Sequence, residues 1–249
     1  MKQVLFFATA MFMLCFTATA QVKTGTVKKT TTIKKTTPVK KAVEKKPLTT
    51  GRIPGARVKI ITDSGVIIVR LYDSTPLHRD NFIKLVKQHF YDSTLFHRVI
   101  QGFMIQGGDP LSKHAEPGIM LGNGGGEMER IPAEIKPYLF HKRGVLAAAR
   151  DGNPQKASSA CQFYLVQGKK LTDQEISMTE AQNGRKYTTI ERMILKEKGG
   201  TPFLDGNYTV FGEVEKGLDV IDKIASVQKD QYDRPFGDIR MRMELISEK

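Results

Sequence analysis

Tryptophan is absent from the 249-residue chain, and cysteine nearly so: only Cys15 and Cys161 occur. So few thiols exclude a disulfide framework and a cysteine-rich zinc site. Cys161 abuts the apolar text FYLV, a setting for a small buried residue rather than a reactive nucleophile. Beyond the apolar run Val4 to Phe16, no stretch is long and apolar enough to cross a bilayer. Acidic residues are scarce between Gln21 and Pro47, where Glu44 stands alone against nine lysines.

The imbalance in that one segment accounts for most of the formal charge of +13. It carries +8, Lys2 adds one, and only +4 remains for everything else. The remaining chain is therefore mildly basic and offers no phosphate-tracking face, so no nucleic-acid partner is expected. Ahead of the lysine-rich segment, Lys2, the apolar run and Ala18-Thr19-Ala20 have the layout of a secretory signal peptide over residues 1–20. Cleavage before Gln21 predicts an exported, periplasmic or secreted protein. Residues 21–55 are mostly Lys, Thr, Val and Pro without an aromatic or a periodic apolar face. Such text cannot offset chain entropy by burial, and it reads as a self-repelling linker. It serves either as a spacer or as a weak contact to an anionic envelope surface.

From Ala56 the pattern changes. Val58 and Ile60, then Val66 to Val69 and Leu71, flank Asp63-Ser64-Gly65, as in a hairpin. Phe82, Leu85, Val86 and His89 follow Pro76 at helical spacing and predict a helix with a packed histidine on its apolar stripe. Gly144 to Ala149, Gln162 to Val166, Val210 to Val214 and Ile239 to Ile246 read as further strands, and Leu218, Ile221, Ile224 and Ala225 as a second helix. Strands outnumber helices, and the scattered turns favour a closed antiparallel barrel over a parallel sheet.

One stretch is chemically distinctive. FHRVIQGFMIQGGDP, Phe96 to Pro110, concentrates an arginine, glutamines, two phenylalanines and a methionine. That mixture can seize an apolar ring while presenting a charged donor to an amide. With CQFYLV from Cys161 and FLDGNYTVFG from Phe203, in this order, it resembles the cyclophilin-type peptidyl-prolyl cis-trans isomerases. The resemblance covers Ala56 to Glu248 and places the domain at 56–249. It implies a mainly β, eight-stranded antiparallel barrel closed by two helices, acting as a monomer on proline-containing peptides and unfolded proteins. By motif position Arg98, Phe103 and Gln106 match the family's catalytic residues. Met104, Ala149, Arg150, Tyr164, Phe203, Leu204 and Tyr208 match its substrate-binding surface. Phe203 stands where tryptophan is frequent, Tyr164 where phenylalanine is, and Tyr208 where histidine is. The missing indole N–H removes a donor for cyclosporin.

A departure from the family is the insertion 168–202. Thr172 and Glu175 have the spacing of a capping box, and Ile190, Met193, Ile194 and Glu197 before Gly199-Gly200 predict a short helix. Its role is either client selection or neutral surface elaboration. LGNGGG, Leu121 to Gly126, lacks the lysine and Ser/Thr pair of a phosphate loop and reads as a hairpin loop. His97, His114, His141 and Cys161 have no metal-ligand spacing, so no metal and no cofactor are expected. Ser158 and Ser159 lack a nucleophile elbow. The expected activity is rotation of X-Pro bonds during folding of exported proteins. Two alternatives are a non-catalytic proline-peptide scaffold and a polyanion-binding envelope protein.

Overall fold

A computed structural model describes residues 55–247; the expected leader, 1–20, and all but the last residue of the linker, 21–55, lie outside the described residues. The chain begins as the expected hairpin. β1 (Arg57–Thr62) pairs antiparallel with β2 (Gly65–Leu71), Thr62 lying opposite Gly65. Helix α1 (Pro76–Lys87) follows, with Pro76 in its first turn, where no intrahelical N–H is needed. Then come β3 (Phe96–Ile100), β4 (Met104–Gly107), β5 (Val145–Ala148) and β6 (Phe163–Val166). Helices α2 (Asp173–Asn183) and α3 (Thr189–Glu197) precede β7 (Val210–Lys216), α4 (Leu218–Ala225) and β8 (Met241–Ser247). All strand pairs are antiparallel, in the order β3-β4-β6-β5-β7-β2-β1-β8.

The short strands β5 and β6 are buried at every residue, which means that both of their faces are covered. Alternation then sorts side chains between two compartments. Ile105, Leu146, Ala148, Phe163 and Leu165 join the large interior core with Val58, Ile60, Val69 and Phe96. Met104, Val145, Ala147, Tyr164 and Val166 point the other way, into a second apolar cluster with Leu204 and Val210. Phe82, Leu85 and Val86 of α1, and Val220, Ile221, Ile224 and Ala225 of α4, fill the interior core. Phe82 meets Phe163 and Phe211 edge-on at 5.6 and 5.5 Å between ring centroids.

The expected closed barrel is instead a curled, open sheet, with β3 and β8 as its edges. Three main-chain hydrogen bonds, including Phe96 N–H to Ile239 C=O at 3.0 Å, stitch the start of β3 to the segment entering β8. Farther along, the loop 229–233 takes the edge that a closing strand would need. Val99 N–H donates to Asp233 C=O at 2.8 Å, and Lys229 Nζ donates to Val99 C=O at 3.0 Å. A second difference concerns His89. The helix stops at Lys87, and His89 sits beyond it with φ of 53° and a 77% exposed side chain near Asp92. The apolar periodicity ended at Val86, one turn sooner than the histidine implied.

The insertion holds two helices rather than one. Both have capping boxes: Thr172 with Glu175 on α2, as expected, and Thr188 with Glu191 on α3. Ile176, Tyr187 and Leu195 form a small core of their own with Phe140. The segment leaves and returns through a narrow neck. A Cβ on Gly168 would lie 2.6 Å from the Gly200 Cα, and Gly168 has φ of 66°, so only glycine fits there.

Cys161 is 2% exposed in the interior core, as its apolar neighbours predicted. Burial pushes its thiol up to about 11. At pH 8 about one molecule in a thousand carries the reactive thiolate. Native protein should therefore react with Ellman's reagent at least about a hundredfold more slowly than protein unfolded in urea. Equal rates would place the thiol at the surface.

Candidate functional site

Strand register assembles the site. Arg98 on β3 lies directly opposite Gln106 on β4, Gln106 opposite Tyr164 on β6, and Tyr164 opposite Ala147 on β5. Directly opposed residues share a face, so Arg98, Gln106, Tyr164 and Ala147, from four strands, form one lateral row. The row stands on the second apolar cluster: Met104, Ala147, Ala149, Tyr164, Val166, Leu204 and Val210, with Phe103 and Tyr208 half-buried against it. Arg98 is the polar end of the row. Its side chain is 42% exposed, and Nε lies 3.6 Å from Asp233 Oδ2. An arginine fork over an apolar basin, held by one long ion pair, remains open to a new acceptor.

The other expected residues converge on the same basin. Phe103 meets Phe203 with ring centroids 5.5 Å apart, and Phe203 is 50% exposed. The Phe103 carbonyl accepts the N–H groups of Gln167 and Gly168, both at 3.0 Å, which ties the aromatic to the end of β6. Arg150 lays its guanidinium 4.9 Å from the Tyr208 ring centre and donates from Nε to Asn207 C=O at 2.8 Å. That side chain therefore braces the far wall. Ala149 is part of the floor, but its N–H is spent on Gln162 C=O at 2.9 Å. Among the described residues the Arg150 main chain makes no such bond.

Two positioning elements escaped the sequence reading. Gln106 Nε2 donates to Gln162 Oε1 at 3.0 Å, while Gln162 Nε2 donates to the carbonyls of Gly122 and Gly124 at 2.9 Å each. The buried Asp109 carboxylate accepts from the N–H groups of Leu111, Gly122 and Gly124. The LGNGGG loop is thus pinned from both sides, and with Gln106, Ala149, Arg150 and Gln162 it lines a groove of about 380 Å³ beside the row. The second element is Asp233, whose φ of 65° carries its carboxylate toward Arg98 while Lys229 Nζ holds it at 2.6 Å. The acidic Asp230-x-x-Asp233-Arg-Pro turn was a visible signal, but its proximity to β3 was not.

Burial governs the nearby titratable groups. His97, next to Arg98, is 3% exposed, and burial pushes its pKa down to about 4. It is neutral at ordinary pH and adds no repulsion beside the guanidinium. Ser158 shows a different pattern: its Oγ lies 2.9 Å from His78 Nε2, whose Nδ1 lies 2.7 Å from Glu134 Oε2. This is the order of a hydrolase triad, yet Ser158 is 1% exposed. Glu134 is also occupied in accepting the Leu77 and His78 N–H groups at the start of α1. The trio fastens a helix terminus. Among the described residues no group of three or more His, Cys, Asp or Glu side chains could hold a metal ion.

With this geometry in place, the chain can be compared with known proteins. A family model described as cyclophilin type peptidyl-prolyl cis-trans isomerase matches residues 57–244. A putative bifunctional phosphatase/peptidyl-prolyl cis-trans isomerase of Streptococcus pyogenes is 35% identical over 190 residues, 74% of this chain and 37% of the relative. A putative peptidyl-prolyl cis-trans isomerase of Staphylococcus epidermidis is 31% identical over 198 residues, 78% of this chain and 93% of the relative. The chain thus spans about a third of the streptococcal relative's length and nearly all of the staphylococcal one. A crystal structure of a Cryptosporidium parvum cyclophilin type peptidyl-prolyl cis-trans isomerase has the same fold, with a TM-score of 0.57 and 24% identity. The match covers 79% of this chain and all of that one. The family model and the sequence kinship show that the chain belongs to the cyclophilin-type peptidyl-prolyl cis-trans isomerase family, a family of isomerases.

Proposed function

We propose that Arg98, Phe103 and Gln106, with Tyr164 as a wall of the proline pocket, catalyse rotation about X-Pro bonds of unfolded polypeptides. One observation carries this reading: the register sets a charged fork beside an apolar cluster that includes Phe103, Tyr164 and Tyr208. Uncatalysed rotation faces a barrier of about 18 to 20 kcal/mol, because amide resonance must be broken, and takes tens of seconds. No covalent bond changes. Phe103, Met104, Tyr164 and Leu204 hold the proline ring, while Phe203 and Tyr208 close the basin. Arg150 supplies a main-chain edge, and Ala149 forms the floor beneath it. Gln106, steadied by Gln162, aligns the peptide. Arg98 donates to the substrate carbonyl and to the prolyl nitrogen as it becomes pyramidal and loses conjugation. Four decades of acceleration require about 5.5 kcal/mol, and a preorganised charged donor over an apolar floor supplies energy on that scale.

Arg98→Ala should lower kcat/KM by at least about a hundredfold in a protease-coupled assay while the circular dichroism spectrum is unchanged. Arg98→Lys should recover only part of the loss, since a point charge lacks the fork. Near-normal turnover by a folded Arg98→Ala protein would remove the arginine from the mechanism.

The amino-terminal text supports export of a bacterial protein, with monomeric mature chains assisting proteins in the periplasm or outside the cell. Under this reading, mass spectrometry of protein recovered from its host should give Gln21 as the first residue, and an intact Met1 would count against it. The lysine-rich linker spaces the domain from, or weakly touches, an anionic envelope surface. Deleting residues 21–47 should accordingly leave turnover of a tetrapeptide within about twofold. A loss of tenfold or more would mean that the linker reaches the basin.

A further inference from the structure

The insertion is joined to the basin by a continuous chain of buried polar contacts. Tyr164, 4% exposed, places its hydroxyl 2.9 Å from His141 Nε2. His141 is 1% exposed, and its Nδ1 lies 2.6 Å from Asp205 Oδ1, which also accepts the His141 main-chain N–H at 2.8 Å. The opposite oxygen, Asp205 Oδ2, accepts from Tyr187 Oη at 2.5 Å and from Arg185 at 3.0 Å. Arg185 and Tyr187 lie between α2 and α3, inside the insertion. Arg185 is itself held by Glu191 at 2.5 Å and stacks 4.5 Å from the Tyr187 ring centre. Every member of the chain is therefore fixed from more than one direction.

We propose that Arg185 and Tyr187 are positioning residues of the isomerase site, acting through Asp205 and His141 to fix the ring of Tyr164 against the substrate proline. The inference rests on the reading of Tyr164 as a wall of the proline pocket. A phenylalanine in this place would be held by packing alone. A phenol can be pinned at its tip, and the pin here is a buried imidazole with no freedom of its own. Tyr208 stands edge-on to both rings, 6.0 Å from Tyr164 and 6.5 Å from His141, so it blocks the sideways escape of either. Whichever partner supplies the proton, the Tyr164 hydroxyl is committed to His141 and takes no part in binding the peptide. Burial pushes the phenol's pKa well up, so it stays a neutral hydrogen-bonding group throughout the working range. Asp205 carries the coupling across the boundary of the insertion. Its carboxylate is fully buried and shared between two partners from the insertion and one from outside it. Loosening either insertion contact releases the carboxylate, then the imidazole, then the ring. The effect falls on the fit of the proline ring, hence on KM, because none of these groups touches the amide that rotates.

The test is a double-mutant cycle in the full chain, with a proline tetrapeptide as substrate. Tyr187→Phe removes one hydroxyl and no packing, and Arg185→Gln removes one charge. Each should raise KM about fivefold with kcat changed by less than about twofold. Tyr164→Phe cuts the last link, so in that background the same two substitutions should change KM by less than about 1.5-fold. In the Tyr187→Phe protein the Tyr164 ring should also flip faster by NMR, a signature that a general loss of stability would not confine to one ring. Equal effects in both backgrounds, or no effect in either, would overturn the proposal. Should Arg185→Gln fail to fold, Tyr187→Phe decides alone. Tyr164→Ala separates the underlying reading: an unchanged KM there would remove Tyr164 from the pocket, whereas a large rise with additive insertion effects would sink only the relay.

Discussion

Everything in this molecule depends on burying strands β4, β5 and β6 on both faces. A strand wetted on one side could alternate apolar and polar residues and leave its outer face to solvent. Here the inner residues Ile105, Leu146, Phe163 and Leu165 pack into the curl. The outer residues Met104, Ala147, Tyr164 and Val166 must therefore find a second cover. At its margin Arg98 and Gln106, on the same face, stay partly exposed. A slip of one residue in β4 would exchange Gln106 for Ile105 on the outer face, destroying core and site together. Stability and catalytic geometry thus share one register.

Around this frame, buried carboxylates do what loops cannot do by packing. Asp109 gathers three main-chain N–H groups, Glu134 caps the start of α1 and anchors His78, and Asp205 joins three side chains. Asp109 and Asp205 are buried and Glu134 is mostly covered, and each is compensated by several donors, the condition under which a carboxylate is tolerated away from water. The result is a set of irregular segments whose main chains are tied by side-chain hydrogen bonds. Loop residues such as Gly122, Gly124 and Leu204 can then line a binding surface without fluctuating out of place.

Much of this was legible in the sequence because local text carried it. The hairpin at Asp63-Ser64, the apolar stripe of α1, the capping box at Thr172 and the buried Cys161 all follow from spacing within a few residues. The candidate site residues were named for another reason, since motif position relates them to one another without any knowledge of pairing. What escaped were contacts set by the folded path. Nothing near Asp233 announces that its carboxylate will face Arg98 some 130 positions earlier, as Lys229 does with Val99. His89 misled because periodicity reports spacing and not where the helix ends, and the open edge at β3 depended on a loop from the far end of the chain. The second capping box, Thr188 with Glu191, was visible in principle but lay in text read only for its apolar residues.

The neck of the insertion has a bearing on chain order. Gly168 and Gly200 touch through their main chains, so the two ends of the excursion stay together whatever lies between them. At the other side of the sheet, Arg57 pairs with Ser247, which brings the two limits of the described domain next to each other as well. A polypeptide with neighbouring ends in one place and a self-closed excursion in another is topologically a ring with a pendant. Its beginning could be moved from β1 to the tip of the insertion by joining the old ends and opening the pendant, with every strand pair retained. The linear order in which the curled sheet is written is thus a separate matter from the shape it takes.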